Sequence, residues 1–375
     1  MKRLLIVAVA LSACKNDEEP IGPELLDLPA DPAATGVPVG VQTLAWDDLA
    51  VEVWYPASDS TSGNLDVVDF GEDVPTSVRD LLGDVQIPTF TTLAVRDAPL
   101  RIPAGDAYPT VIFSHGFGGN RVQSATYTSH LASRGYVVVS TDHHGRSLAD
   151  ILPCLFNPPA DGCLLEFTDD PGLRDVPDLI DFLDDAADSG FLKGAIDTDK
   201  LALTGHSAGG QTTVGLSDEG RFKALIPMAG GTEVTRDVPV LRMAGQCDGV
   251  VLAADSAASH ALSTDDVYLE ITGAGHLAFS DMCALDLGSL ADEYLIGRDD
   301  LNPTMMDLLL QLAVDGCPAG ATPQPGVCEA DEFLDLDVSK AIINHYATVF
   351  LDEVLYGQGA GIASGLWDEA VIDRR

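Results

Sequence analysis

The chain has 375 residues, with 59 acidic against 20 basic side chains, a formal charge of −39 and an isoelectric point near 4.1. That balance excludes nucleic acid and anionic lipid headgroups as partners, because both demand cationic side chains that displace counterions from phosphates. Disorder is excluded too: 46% of the residues are hydrophobic and the mean hydropathy is +0.14, enough apolar material for a sizeable core.

At the N-terminus Lys2 and Arg3 precede an apolar run from Leu4 to Leu11, followed by Ser12, Ala13 and Cys14. A basic start, a short apolar stretch and small residues make an export signal over residues 1–13. The run reaches about half of the ~20 residues that a membrane-spanning helix needs. Leu11-Ser12-Ala13-Cys14 resembles the lipobox of bacterial lipoproteins. It implies lipid on the Cys14 sulfur, and an exported protein held in the cell envelope, at the outer membrane or cell surface, or released from it. Six further cysteines, Cys154, Cys163, Cys247, Cys283, Cys317 and Cys328, form an even set that in an exported protein reads as disulfides. The preferred pairing is Cys154–Cys163, Cys247–Cys283 and Cys317–Cys328. No C-x-x-C pair occurs and no histidine lies at ligand spacing from these cysteines, so no metal is expected.

Residues 14–38, rich in Pro, Asp, Glu and Ala, read as a flexible tether. Val41 to Leu44 and Leu49 to Tyr55 read as an antiparallel pair ended by Pro56, and a short helix is expected at Thr76 to Leu82. The chain then alternates. Strands are expected at Thr110 to Ser114, Tyr136 to Ser140, Leu201 to Thr204, Ala224 to Met228, Val238 to Met243 and Val267 to Ile271. Helices are expected at Ser124 to Arg134, Val176 to Ala187, Ser207 to Leu216 and Val338 to Leu355. This order predicts an α/β class with a mostly parallel central sheet, helices on both faces and functional residues at strand C-terminal ends. Two segments interrupt it, near 152–171 and 280–332; each holds a cysteine pair and is expected to form a lid or rim of a binding site. The domain is expected over residues 39–358, leaving 359–375 as a C-terminal tail.

Gly205-His206-Ser207-Ala208-Gly209 follows the strand Leu201 to Thr204 and opens a helix. In that setting a strained turn presents a serine hydroxyl at the sheet edge, so Ser207 is the expected nucleophile. A serine hydroxyl needs a base, and the base needs an acid that fixes its tautomer. His276, on the loop after Val267 to Ile271, is the expected base. His206 lies inside the elbow and should point away from the reacting centre, while His115, His143 and His144 precede the nucleophile and read as structural. His143 and His144 are adjacent on an extended segment and face opposite ways, which argues against a metal pair. With 45 Asp in the chain, residue type alone selects no acid. Position favours Asp248, just beyond the strand Val238 to Met243, over Asp255, Asp265 and Asp266, which are expected to be solvated. The oxyanion donors are expected to be the amides of Phe117 and Ala208, with His115, Gly116, Gly118 and His206 contributing to the substrate site. No cofactor is required.

These residues resemble the α/β-hydrolase superfamily over roughly Val41 to Tyr356. Phe113-Ser114-His115-Gly116-Phe117-Gly118-Gly119 and Val138-Val139-Ser140-Thr141-Asp142-His143 look like bacterial relatives of platelet-activating-factor acetylhydrolase and dienelactone hydrolase. Tyr268-Leu269-Glu270-Ile271 with Gly273 and His276 looks like cutinase-type polyester hydrolases, a branch that includes enzymes acting on polyethylene terephthalate. In the acetylhydrolase branch the acid follows the strand just after the nucleophile helix, where this chain has Met228-Ala229-Gly230 and no carboxylate; Asp248 agrees with the polyester branch. That branch usually carries a Trp soon after the strand and a Met beside the nucleophile, where this chain has Gly231-Thr232 and Ala208. Some of its members join the acid and histidine loops by a disulfide, and Cys247 and Cys283 are placed to do something similar. The resemblance implies a serine esterase forming an acyl-enzyme on small or polymeric esters, expected here as a monomer anchored by the lipid on Cys14. The alternatives are a phospholipase A2-like or platelet-activating-factor acetylhydrolase-like lipid esterase, and a surface binding module with a vestigial triad.

Overall fold

Tyr108–Ser114 and Val137–Thr141 are buried along their whole length, as strands must be when helices cover both faces of a sheet. They form the middle of the structure, a computed structural model that describes residues 26, 28–82, 87–103, 105–156, 170–231, 234–262, 265–285, 298, 301–312, 333–358, 361–363 and 365–375. The export signal, Cys14, Cys163, Cys317 and Cys328 lie outside the described residues.

The strands are β1 (Val39–Trp46), β2 (Leu49–Pro56), β3 (Leu65–Asp69), β4 (Thr89–Arg96), β5 (Tyr108–Ser114), β6 (Val137–Thr141), β7 (Ile196–His206), β8 (Phe222–Met228), β9 (Val240–Gly245), β10 (Asp266–Ile271) and β11 (Ala370–Arg374). The helices are α1 (Thr76–Leu82), α2 (Ala125–Ser133), α3 (Leu148–Phe156), α4 (Gly172–Asp188), α5 (Ala208–Gly215), α6 (Ala253–His260), α7 (Pro303–Leu312) and α8 (Leu336–Leu355). Among the described residues the strands make one sheet, ordered β11-β10-β9-β8-β7-β5-β6-β2-β1-β4-β3. From β6 through β5, β7, β8 and β9 to β10 every pairing is parallel. One face is packed by α2 and α8, with Tyr127, Leu131, Tyr346 and Phe350 in its core. The other is packed by α4 through Val176, Leu179 and Leu183.

The parallel alternation appears as expected, and the margins of the sheet are longer than expected. β3 and β4 extend the sheet beyond β1. Five of the eight residues of the β4 sequence TFTTLAVR are Thr, Ala or Arg, so its apolar alternation is faint. The segment expected as a C-terminal tail supplies β11, which pairs with β10 from Val267 with Arg374 to Ile271 with Ala370. Its sequence, AVIDR, is only five residues long, too short for its alternation to mark a strand. The end of the expected tether is docked rather than free: Gly36 N donates to Ser133 Oγ at 3.1 Å, and Arg134 donates to the carbonyls of Pro29 and Asp31. Asp266, expected to be solvated, is fully buried and accepts from Arg242 Nε at 2.6 Å. Parts of the two interrupting segments fall on α3 and α7, which share an apolar cluster with Phe117.

The connection from β5 to β6 leaves toward one side of the sheet and that from β7 to β8 toward the other. Their divergence opens a crevice at the C-terminal ends of β5 and β7, where an open α/β sheet places its ligands.

Candidate active site

Ser207 stands between β7 and α5 with φ +56° and ψ −116°, a conformation that costs a non-glycine residue about 1–3 kcal/mol. The turn is held by close packing: Ser207 N donates to Met228 O at 2.9 Å, and a Cβ on Gly209 would lie 1.9 Å from Ser114 O. The first amides of α5, Ala208 among them, begin a helix and so lack intrahelical acceptors.

The loops after β9 and β10 are fastened to each other. Gln246 N donates to Ile271 O at 3.0 Å and Cys247 N to Ala274 O at 2.9 Å. This brings Asp248 against His276, whose Nδ1–H donates to Asp248 Oδ2 at 2.8 Å. The other carboxylate oxygen accepts from the amides of Val250 and Val251 at 2.8 and 2.7 Å. With Nδ1 protonated, His276 Nε2 accepts from Ser207 Oγ–H at 2.9 Å. Asp248 and His276 are buried and Ser207 is half-buried, so one end of the line faces outward. At the alternative place for an acid the chain reads Met228-Ala229-Gly230, without a carboxylate; Ala229 has φ +46° and its amide donates to Met243 O at 2.8 Å.

The glycine loop after β5 lies alongside. A Cβ on Gly116 would come within 3.2 Å of Ser207 Cβ and 3.3 Å of His206 Nδ1. Phe117 and Gly118 are half-buried beyond it, with Gly118 at φ +73° and its amide bonded to Arg146 O.

Two residues expected at the substrate site are instead internal. His115 is fully buried: its Nε2 accepts from His143 N at 2.9 Å, so Nδ1–H donates to Gly116 O at 2.7 Å. His206 is 2% exposed, with its ring centroid 4.8 Å from that of His276. Burial holds both imidazoles well below their ordinary pKa, helped at His206 by neighbouring His276 and at His115 by His143 and Arg146.

Behind the loop runs a second line of the same residue types. Ser114 Oγ–H donates to His143 Nε2 at 2.9 Å, and His143 Nδ1–H donates to Asp175 Oδ2 at 3.0 Å. Burial and nearby Arg146 keep His143 well below its ordinary pKa, so the contact with Asp175 is a hydrogen bond from a neutral ring rather than an ion pair. Arg146 donates to Ser114 Oγ, His115 O, Asp170 and Thr212. None of Gln123, Arg146, Asp170, Asp175 and Thr212 stood out in the sequence, since each acts through partners distant in the chain. Among the described residues no group of three or more His, Cys, Asp or Glu could hold a metal.

A mostly parallel sheet with a strained serine turn at its switch point, and His and Asp on the loops after its last two parallel strands, is the arrangement of the α/β-hydrolase fold. Comparisons with known proteins agree at that level. Residues 42–154 match the family platelet-activating factor acetylhydrolase, isoform II, and residues 165–260 match the prolyl oligopeptidase family. The first span includes the glycine loop and the second includes Ser207 and Asp248; His276 lies outside both. The platelet-activating factor acetylhydrolase of Cavia porcellus is 26% identical over 217 residues, 48% of this chain and 47% of that protein. That of Gallus gallus is 24% identical over 243 residues, 54% of this chain and 56% of that protein. The chain thus spans about half the length of these curated relatives. A ferulic acid esterase structure from Streptomyces cinnamoneus superposes with a TM-score of 0.56 at 21% identity, covering 90% of this chain and 97% of that one, a likeness of fold.

Proposed function

We propose that the protein is a serine hydrolase of carboxylic esters. The observation that carries this reading is the line from Ser207 Oγ through His276 to Asp248, which starts at a strained, half-exposed serine beside a glycine loop. Ser207 Oγ attacks the ester carbonyl while His276 Nε2 takes its proton. The imidazolium so formed is stabilised by Asp248, which stays ionised. Negative charge on the carbonyl oxygen is met by the amides of Phe117 and Ala208, the latter at the positive end of α5. His276 returns the proton to the leaving alcohol, then takes one from a water that attacks the acyl carbon, and delivers it to Ser207 Oγ as the Oγ–acyl bond breaks and the acid departs. In the test, wild type hydrolyses p-nitrophenyl acetate and is labelled by a fluorophosphonate, and Ser207→Ala does neither; turnover by Ser207→Ala at the wild-type rate refutes the reading.

The match over residues 42–154 favours a second reading, a lipid esterase acting on short-acyl phospholipids. An ester panel separates the two: a preference for phospholipid over soluble acetate and aromatic or polyester substrates selects the second, and the reverse preference the first.

Export with a lipid on Cys14 is part of the same proposal, supported by Lys2, Arg3 and the run into Leu11-Ser12-Ala13-Cys14. The even set of six cysteines, Cys154, Cys163, Cys247, Cys283, Cys317 and Cys328, supports an oxidising compartment. A Cys247–Cys283 bridge would reinforce the joined loops of Asp248 and His276. Cys14→Ser should move the protein from the membrane to the soluble fraction; retention in the membrane would refute the anchor.

A further inference from the structure

The chemistry proposed above needs two distances to be right at once, from donors to the oxyanion and from base to nucleophile. The groups that set them sit on the loops after β5 and β10, which are separated in the sheet by β7, β8 and β9. A buried relay joins those loops. Gly116 N–H donates to Gln123 Oε1 at 2.8 Å, Gln123 Nε2–H donates to His206 Nδ1 at 2.8 Å, and His206 Nε2–H donates to the backbone carbonyl of His276 at 2.9 Å. Its directions are forced. The carbonyl of His276 can only accept, so His206 carries its proton on Nε2 and offers a lone pair at Nδ1; the amide of Gly116 can only donate, so Gln123 turns its oxygen there and its nitrogen to His206. The depressed basicity of His206 agrees with a neutral ring in that tautomer. Gln123 and His206 are each 2% exposed, so water does not substitute for a lost partner.

We propose that Gln123 and His206 are positioning residues that lock the oxyanion loop, the nucleophile turn and the base loop into one register. A primary amide suits the central place because it presents one acceptor and one donor at a fixed separation. A carboxylate lacks the donor and an apolar chain lacks both. The backbone of the same segment strengthens the link: Asp281 N donates to Gln123 O at 2.9 Å, and Ser124 Oγ donates to Phe279 O at 3.2 Å. The relay therefore fixes the start of the base loop, at His276, while these bonds fix its end.

The inference rests on Ser207 as nucleophile, and the experiment separates the two. Gln123→Met conserves volume and removes both polar groups, and Gln123→Glu keeps the acceptor for Gly116 but removes the donor for His206. With p-nitrophenyl acetate, both variants are expected to lose roughly 10- to 100-fold in kcat, with KM within about twofold of wild type and fluorophosphonate labelling of Ser207 slowed in proportion. The double variant Gln123→Met/His206→Asn should lose no more than the worse single variant, because both break one chain of contacts. A folded Gln123 variant with wild-type kcat and labelling rate overturns the proposal, as does a loss confined to KM or a double variant whose losses multiply. If Gln123→Met melts below the assay temperature, the isosteric Gln123→Glu decides by the same criteria. Wild type that is not labelled refutes the serine-hydrolase reading itself; labelled wild type with equally labelled Gln123 variants refutes only the positioning role.

Discussion

Two Ser–His–Asp lines run through this protein, and their hydrogen bonds are nearly the same length. Ser207–His276–Asp248 is joined at 2.9 and 2.8 Å, and Ser114–His143–Asp175 at 2.9 and 3.0 Å. What separates them is everything around the serine. Ser114 ends a regular strand, is fully buried and also accepts from Arg146 at 2.7 Å. Its oxygen is committed to holding the glycine loop, and no carbonyl can reach it. Ser207 sits at φ +56°, half-exposed, beside amides at the start of a helix. The proposed function therefore rests on access, backbone strain and nearby donors at Ser207, and not on spacing and residue type, which the two lines share.

The sharpest way to break this contrast is to remove each serine in turn. Ser207→Ala should lower kcat on p-nitrophenyl acetate by about 10⁶-fold without loss of folding. Ser114→Ala should still be labelled at Ser207 but lose about 1–3 kcal/mol of stability in urea, since it strands Arg146 and His143. Loss of labelling in the Ser114 variant with unchanged stability would reverse the two assignments. The acids come next. Asp248→Asn should lower kcat by about 10⁴-fold because the imidazole loses the acceptor that fixes its tautomer. Asp175→Asn should lower the melting temperature and leave kcat closer to wild type; equal kcat losses in the two would erase the distinction.

The mildest test uses pH. Burial holds His115, His143 and His206 well below their ordinary pKa, and lowers His130 to about 4. Below about pH 6.5 the unfolded chain takes up protons at these rings while the folded protein does not. The stability they contribute is thus complete above that pH and falls as pH drops toward 4, by up to about 1.4 kcal/mol per pH unit for each ring. Asp175 and Asp352, whose pKa values burial raises, act with the opposite sign and soften the loss at the acid end. Urea midpoints that stay level between pH 7 and about 4.5 would show that the buried line carries charged imidazoles.

Much of the sheet was legible because central parallel strands are nearly solid apolar runs, as in β5 and β6. The margins were not, because β3, β4 and β11 are strands only by virtue of what they pair with. His206 was expected to point away from the reacting centre and His115 to be structural, yet both were also placed at the substrate site because they flank the nucleophile and the glycine loop; both are buried. Asp266 was expected in water because most acids are, and it is buried because Arg242 meets it across neighbouring strands.

Read alone, the sequence determined the nucleophile turn, the glycine loop and the order of serine, acid and histidine, because each is encoded in a few consecutive residues and in chain order. Tertiary structure alone decided which partners the other histidines take, such as Gln123 for His206 and Asp175 for His143. The bond between Gln123 and His206 joins residues 83 apart, and that between Ser207 and His276 residues 69 apart. A hydrogen bond depends on distance and direction in space, and neither is written in the local pattern of the chain.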